Sequence, residues 1–316
     1  MKRREFLVVG GAMAASIALP ARAAYPEKPV RMIIAFSPGG ESDIGARLQQ
    51  TVFRKLFNQE MVIESKPGAG GALAWSQLNT FPGDGYTIMG TNLPHIVLQP
   101  LEGNVQYKTE DIVNVHFYQY TPDAILVSNT SPFKTYQDLV KASKEGGDKV
   151  TFAGSGTNSA NHLAHTRLNK LMGAATTYVP FKGTGDLVAS ILGGHVSAAM
   201  SYNTLAISQK DKMRMLAVAS DKRLAAFPDV PTFKELGGDW VDGAYRGVGV
   251  PKSTPEELRK RISEMLSEIN RDAEFRKKMA DGGFELVDIT YDKMAPFVAD
   301  RSKAYLEAAK LMGLAK

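Results

Sequence analysis

The chain has 316 residues and no cysteine, so disulfide bonds, thiolate catalysis and cysteine-bound metals are excluded. Its formal net charge of +5 falls to +2 once the first 23 residues are set aside, because 34 basic residues then stand against 32 acidic ones. A basic surface for nucleic acid is therefore not expected, and the length is sufficient for two α/β lobes.

The N-terminal 23 residues have the form of a secretory signal peptide. Arg3 and Arg4 precede an apolar run, and Ala21-Arg22-Ala23 has the form of a cleavage site. The arginine pair favours the twin-arginine export route, with ordinary secretion as the alternative. A retained membrane anchor is not favoured, because the apolar run is short for a bilayer span.

The next segment predicts a strand, a tight turn and a helix. The apolar residues 30–36 break at Pro38-Gly39-Gly40, and apolar residues then recur at helical spacing. Backbone N–H groups at such a helix start lack intrachain partners and attract anions. The turn is thus a candidate carboxylate or phosphate site, and a plain tight turn is the alternative.

Two further strands in this half end in small or polar residues. Residues 61–64 lead into a glycine-rich turn and a helix, and residues 86–89 run into Gly90-Thr91-Asn92. Ligands of open parallel sheets bind at the carboxyl ends of the strands. The sequence therefore predicts a ligand site at these strand ends.

Two similar segments predict crossings between lobes. Residues 123–128 lead to a helix with Thr135 and Asp138 at capping-box spacing, and residues 247–250 lead to a helix with Thr254 as its N-cap. Between them, strands at 150–152, 177–179 and 196–200 again end in polar residues, followed by an irregular connector over 221–246. Crossings there give one lobe of residues 24–124 and 247–316 and another of 125–246. Ordinary strand–helix units are the alternative.

Short motifs occur in a specific order over residues 24–316. They are Tyr25-Pro26, Lys28-Pro29-Val30-Arg31, Pro38-Gly39-Gly40 with Asp43, Lys66-Pro67-Gly68-Ala69-Gly70-Gly71, Asp84-Gly85-Tyr86-Thr87, Ser131-Pro132-Phe133-Lys134-Thr135, His162-Leu163, Val179-Pro180-Phe181-Lys182-Gly183, Leu192-Gly193-Gly194, Leu216-Ala217-Val218 and Pro228-Asp229-Val230-Pro231-Thr232. Together they resemble the Bug or TctC-like solute-binding proteins of the tripartite tricarboxylate transporter family.

The resemblance implies a type II-like Venus-flytrap receptor, an α/β protein with a helix-flanked sheet in each of two lobes. It implies a monomeric, non-enzymatic periplasmic protein without a cofactor, which delivers a small organic acid to membrane transporter subunits. A mono- or dicarboxylate, aliphatic or aromatic, fits this expectation.

The resemblance also implies that backbone amides, hydroxyls and ordered waters hold the carboxylate. The implied first-lobe residues are Phe36, Ser37, Gly40, Ser42, Asp43, Gly70, Gly71, Thr91 and Asn92. The implied second-lobe residues are Ser155, Thr157, Asn158, Gly183, Thr184, Tyr202 and Asn203.

Some residues depart from the family pattern. Glu41 replaces a small residue and is predicted to point outward. Tyr202 replaces an acidic residue and is either an aromatic wall of the cleft or part of the core. Asp186 is expected to cap a helix, and Lys182 is either a counter-ion or a surface residue.

Two other functions stay open. A periplasmic hydrolase is less favoured, because Ser155 lacks the Gly-x-Ser-x-Gly context and His162 and His165 lack the glutamate of a zinc helix. A co-receptor for a periplasmic sensor would use the same cleft, and the sequence does not show which membrane protein detects closure.

Overall fold

The computed structural model describes residues 25–314, so the predicted signal peptide lies outside the described residues. The strands are β1 Val30–Ile34, β2 Met61–Ser65, β3 Thr87–Leu93, β4 Val113–Ser128, β5 Thr151–Ser155, β6 Thr177–Phe181, β7 Ala198–Tyr202, β8 Met213–Val218, β9 Gly243–Val250 and β10 Glu285–Ile289. The helices are α1 Glu41–Phe57, α2 Ala72–Trp75, α3 His95–Leu98, α4 Tyr136–Gly146, α5 Ala160–Met172, α6 Thr184–Leu192, α7 Asn203–Ser208, α8 Glu256–Arg271, α9 Ala273–Asp281 and α10 Tyr291–Ala309. Across residues 25–314, none of these helices is both long enough and apolar enough to span a bilayer.

The strands form two sheets that share the long strand β4. The first sheet has the order β2-β1-β3-β9-β4-β10, in which β2, β1 and β3 are parallel. Strand β9 is antiparallel to its neighbours β3 and β4, and β10 is antiparallel to β4. The second has the order β6-β5-β7-β4-β8, with β6, β5 and β7 parallel. Strand β4 changes sheets at Pro122 and Asp123, because Pro122 pairs with β9 and Asp123 with β7.

Apolar side chains fill both faces of each sheet. Alternate residues of β1 enter opposite clusters, with Met32 and Ile34 on one face and Ile33 on the other. In the second sheet, Ile125 and Leu126 of β4 likewise enter opposite clusters. Helices cover all four faces. The predicted two-lobed α/β fold, with a helix-flanked sheet in each lobe, is confirmed.

The strand ends differ from the predicted ones. Strand β3 continues to Leu93 because it pairs with β9 as far as Tyr245, so Thr91 and Asn92 lie within the strand. Strand β9 begins at Gly243, and the irregular connector is correspondingly shorter.

The predicted caps of α4 and α8 have different outcomes. Thr135 and Asp138 form a reciprocal capping box at the start of α4. The prediction for Thr254 is wrong, because Pro255, with a non-helical ψ of 147°, occupies the N-cap position, so α8 begins one residue later than a Thr254 cap requires.

The two sheets are joined where three chain segments meet. The N–H of Asp123 donates to the carbonyl of Asp242 over 3.1 Å, and the N–H of Ala219 donates to the carbonyl of Asp123 over 2.7 Å. All of β9 pairs with the first sheet. We propose that the lobes divide near Asp123 and Asp242; the predicted limits at residues 124 and 246 stay a prediction.

Candidate ligand cleft between the lobes

A small buried cavity lies at the carboxyl ends of β1, β3, β5 and β7. Its free volume of about 10 Å³ is close to the least that holds one water molecule. The lobes are closed on each other, because hydrogen bonds join them beside the cavity, from Ser37 to Asp186 and from Thr204 to Glu41. A larger solute enters only when they separate. The lining residues are Phe36, Gly40, Glu41, Ser42, Asn92, His95, Ser155, Thr184, Tyr202 and Arg246.

The turn between β1 and α1 forms the first wall. Gly39 has a φ of +74°, which strains any residue with a Cβ, so the turn favours glycine there. Helix α1 begins at Glu41 after the N-cap Gly40. Ser42 Oγ accepts a 3.2 Å hydrogen bond from Nδ2 of Asn92 on β3. This contact ties the first turn of α1 to the sheet.

A buried arginine reaches the cavity from β9. Arg246 is in register with Asn92 of β3 and Gln119 of β4, so three polar side chains stand side by side across neighbouring strands. One guanidinium nitrogen, Nη1, donates to Oγ1 of Thr121. The guanidinium carbon lies 4.6 Å from the centroid of the Tyr202 ring, as in a cation–π contact. Its Nε has no hydrogen-bond partner among residues 25–314.

Glu41 faces this arginine, so the prediction that it points outward is wrong. Its side chain is buried, and Oε1 accepts a hydrogen bond from Oγ1 of Thr204, on α7 of the second lobe. Oε2 lies 3.8 Å from Nη2 of Arg246 and lacks a hydrogen-bond partner within the described chain. Burial raises the pKa of Glu41, against the opposing effects of Arg246 and Thr204. The first turn of α1 directs the carboxylate inward, where Arg246 offsets its charge.

The neighbouring His95 is uncharged at neutral pH. Burial, and then the charge of Arg246, lower the pKa of this imidazole to about 3. The ring packs edge-on against Phe36, with centroids 5.5 Å apart. His95 therefore contributes a neutral imidazole to the cavity wall.

The second-lobe wall consists of neutral side chains. Ser155 Oγ donates to Oδ1 of Asn161 over 2.7 Å, and Nδ2 of Asn161 donates to Asp123 over 3.0 Å. Burial, and next the nearby Asp242, raise the pKa of Asp123 well above its usual range. Tyr202 lines the cavity and is also almost fully buried, so both interpretations of this residue hold in part.

Close contacts around the cavity hold the lobes together. Ser37 Oγ donates to Oδ2 of Asp186 over 2.6 Å. The prediction that Asp186 caps α6 is wrong, because Gly183 is the N-cap and Asp186 instead accepts this bond from the other lobe. A Cβ on Gly185 would lie 2.5 Å from the carbonyl oxygen of Pro38. Glycine at that position is therefore needed for the closed arrangement.

The predicted site residues divide into two groups, and their binding role stays a prediction. One group lines the cavity: Phe36, Gly40, Ser42, Asn92, Ser155, Thr184 and Tyr202. The other group lies nearby with contacts of its own. Ser37 and Gly183 meet at the lobe contact, Asp43 bonds Gly39 and Arg47, Gly70 and Thr157 contact Gln99, Gly71 packs on Trp75, Thr91 donates to Asn114, Asn158 donates to His162 and Asn203 donates to Gly283.

Sequence reasoning missed three lining residues: Glu41, His95 and Arg246. A signal was present for Arg246, which is a lone charge in the apolar, glycine-rich segment 243–250. Glu41 gave no such signal, because an acidic residue in a first helical turn is ordinarily explained by the helix dipole.

A Ser–His–Asp cluster lies elsewhere, in the first lobe. Nδ1 of His116 is 3.2 Å from Oγ of Ser263, and Nε2 is 3.3 Å from Oδ1 of Asp288. Ser263 is 2% exposed, lies inside α8 and accepts a bond from the N–H of Tyr291. These contacts support a structural role, because a buried hydroxyl within a helix is poorly placed to attack a substrate.

The helix histidines also have local partners. Nδ1 of His162 accepts from the N–H of Asn158, and Nε2 of His165 is 2.8 Å from Oγ1 of Thr176. In the part of the chain that the structure describes, no group of three or more His, Cys, Asp or Glu residues is placed to hold a metal ion.

Residues 45–314 match the family described as the tripartite tricarboxylate transporter family receptor. The chain belongs to this family. The resemblance inferred from the ordered motifs is confirmed, and the receptor is of the periplasmic solute-binding type.

Relatives match the receptor over nearly its whole length. The "UPF0065 protein in gbd 5'region" of Cupriavidus necator is 29% identical and covers 100% of this chain and 99% of its own. The structure of the periplasmic binding protein BugD has a TM-score of 0.87 at 27% identity, over 92% of the receptor and 100% of that chain. MatC from Rhodopseudomonas palustris, with bound malate, has a TM-score of 0.83 at 24% identity over 90% and 99% of the two chains, which shows the same fold.

Proposed function

We propose that this receptor binds a small organic carboxylate between its lobes and delivers it to the membrane subunits of a tripartite tricarboxylate transporter. The observation that carries the proposal is the buried guanidinium of Arg246 at the cavity wall. Its Nε is a donor without a hydrogen-bond partner in residues 25–314, and a planar guanidinium matches a carboxylate. MatC, which shares the fold, is described with bound malate.

The cavity favours a compact aliphatic acid over an aromatic one. Arg246 covers a face of the Tyr202 ring, which leaves that face unavailable for stacking with a solute. The free volume of about 10 Å³ in the closed arrangement is smaller than any organic acid, so the volume does not discriminate between aliphatic and aromatic solutes. Separation of the lobes and movement of the Glu41 side chain would enlarge the site.

Export through residues 1–23 would bring the receptor to the periplasm, where it acts as a monomer and returns its solute unchanged. Membrane subunits would recognise the closed lobes. Loss of acid uptake in a deletion strain would support the transporter as partner. Normal uptake with loss of a transcriptional response to the acid would instead support a sensor.

The experiment is thermal unfolding of the purified, solute-stripped receptor with mono-, di- and tricarboxylates, and with sugars and phosphate esters as controls. At a hundredfold excess over the dissociation constant, binding stabilises the folded state by about 2.7 kcal/mol, or roughly 5 °C. A shift confined to carboxylates is the expected result. A shift with sugars or phosphate esters alone would contradict the proposal. Chromatography of the recovered acid would reveal any conversion.

A further inference from the structure

The cleft holds a buried carboxyl group that the binding of a simple carboxylate does not use. Glu41 is 5% exposed and lies in the same cavity wall as Arg246. We propose that the solute carries an ammonium group as well as a carboxylate, an inference that rests on the proposed function. In this arrangement Glu41 binds the ammonium group and Arg246 binds the carboxylate.

Both side chains have unused hydrogen-bonding capacity toward one space. The 3.8 Å between Oε2 of Glu41 and Nη2 of Arg246 exceeds hydrogen-bond length. Within residues 25–314, Oε2 of Glu41 and Nε of Arg246 also have no other hydrogen-bond partner. Buried charged groups are ordinarily paired and hydrogen-bonded. An ammonium donor beside Oε2 and a carboxylate beside Nε would satisfy both.

Among residues 25–314, the cavity lining offers Glu41 no cationic side chain besides Arg246. The groups that face it are hydroxyls, an amide, a neutral imidazole and an aromatic ring from both lobes. They are Ser42, Asn92, His95, Ser155, Thr184, Tyr202 and Thr204. The lining thus contains one acidic side chain, Glu41, and one basic side chain, Arg246. A carboxylate without an ammonium group would leave Arg246 as the single basic partner of two carboxyl groups, whereas a zwitterion supplies a partner for each side chain.

Matched pairs of acids that differ only in the amino group test this inference in the wild-type receptor. Calorimetric titrations at pH 7 would compare L-aspartate with succinate, L-glutamate with glutarate, and L-alanine with propionate. We expect the amino member of the pair that binds best to bind at least about tenfold tighter than its partner acid, a difference of about 1.4 kcal/mol.

Two variants assign the preference to Glu41. Glu41→Gln keeps the size of the side chain and an acceptor for Thr204, and it should reduce the preference about tenfold or more. Glu60→Gln is the matched control, because Glu60 pairs with Arg54 on the surface, and it should leave the preference unchanged. If a variant folds poorly, the comparison of amino acids with their partner acids in the wild-type receptor still tests the inference.

The outcomes separate this inference from the proposed function. Equal or tighter binding of the acids without an amino group would overturn the zwitterion and leave the carboxylate receptor intact. A preference for amino members that survives in Glu41→Gln would overturn the role of Glu41. Binding of no member of any pair would count against the zwitterion, and the wider carboxylate panel would then decide the proposed function separately.

Discussion

The first turn of α1 carries two acidic residues with opposite surroundings. Asp43 is fully engaged within its own lobe, since its carboxylate accepts from the N–H of Gly39 over 2.9 Å and pairs with Arg47 over 3.0 Å. Glu41 faces the cleft, where it bonds Thr204 of the other lobe and keeps one oxygen without a hydrogen-bond partner in the described chain. Their sequence neighbourhood is the same.

The difference separates polar groups that hold the scaffold from those available to a solute. Scaffold groups such as Asp43 have partners within their own lobe, and their loss costs stability. Cleft groups such as Glu41 and Arg246 keep unused hydrogen-bonding capacity, and their loss should cost binding. Each variant below is expected to affect one property much more than the other.

The largest effect on binding is expected from Arg246→Gln. Removing a buried charged partner of a bound carboxylate costs about 2–5 kcal/mol, so affinity should fall at least roughly thirtyfold. Calorimetry with the acid that gives the largest thermal shift would measure it. Arg54→Gln is the control, because Arg54 is 74% exposed and pairs with Glu60 on the surface. Equal affinity in the two variants would show that Arg246 does not bind the acid.

The pH dependence of the free energy of unfolding tests the role of His165, a buried residue away from the cleft. Burial, followed by the charge of His162, lowers the pKa of His165 to about 4 in the folded protein, from 6.5. The unfolded chain therefore binds more protons between these values, so stability is full above pH 6.5 and falls as the pH drops toward 4. His165→Gln should reduce this loss by about 3 kcal/mol at pH 4, as measured by urea unfolding. Parallel curves for the variant and the wild type would contradict the account.

Closure itself is tested by Gly185→Ala. The new methyl group would lie 2.5 Å from the carbonyl oxygen of Pro38 in the closed receptor. We expect affinity to fall by about 1–3 kcal/mol, because the lobes can close on a solute only if the backbone shifts to relieve this contact. Gly146→Ala is the matched control, because its methyl group would meet only Val150, at 3.5 Å. Wild-type affinity in Gly185→Ala would show that the two lobes need not meet there.

The smallest effects should separate two adjacent residues of α1. Asp43→Asn should lower the free energy of unfolding by about 0.5–1.5 kcal/mol and change affinity less than about twofold. Ser42→Ala, at the cavity wall, should instead weaken binding by about 0.5–1.5 kcal/mol. Denaturant unfolding and calorimetry on both variants would measure the two properties. The reverse pattern would show that Asp43 contacts the solute.

Local patterns predicted much of the fold. The apolar run ending at Pro38-Gly39-Gly40 gave β1 and the start of α1, and the spacing of Thr135 and Asp138 gave the start of α4. These features depend on neighbours within a few residues. The ordered motifs then predicted the family, and with it the two-lobed arrangement.

The charged part of the cleft could not be predicted in the same way. Arg246 reaches the cavity because β9 pairs with both β3 and β4, and this register joins segments more than a hundred residues apart. Glu41 turns inward because Arg246 lies opposite it. Each residue explains the position of the other, and neither position follows from local spacing.

A crystal structure of the receptor with the acid that stabilises it most would show directly which groups hold the acid. We expect the acid to lie between closed lobes, with its carboxylate in hydrogen-bond contact with the guanidinium of Arg246. A carboxylate held away from Arg246, or an acid bound outside the cleft, would contradict it.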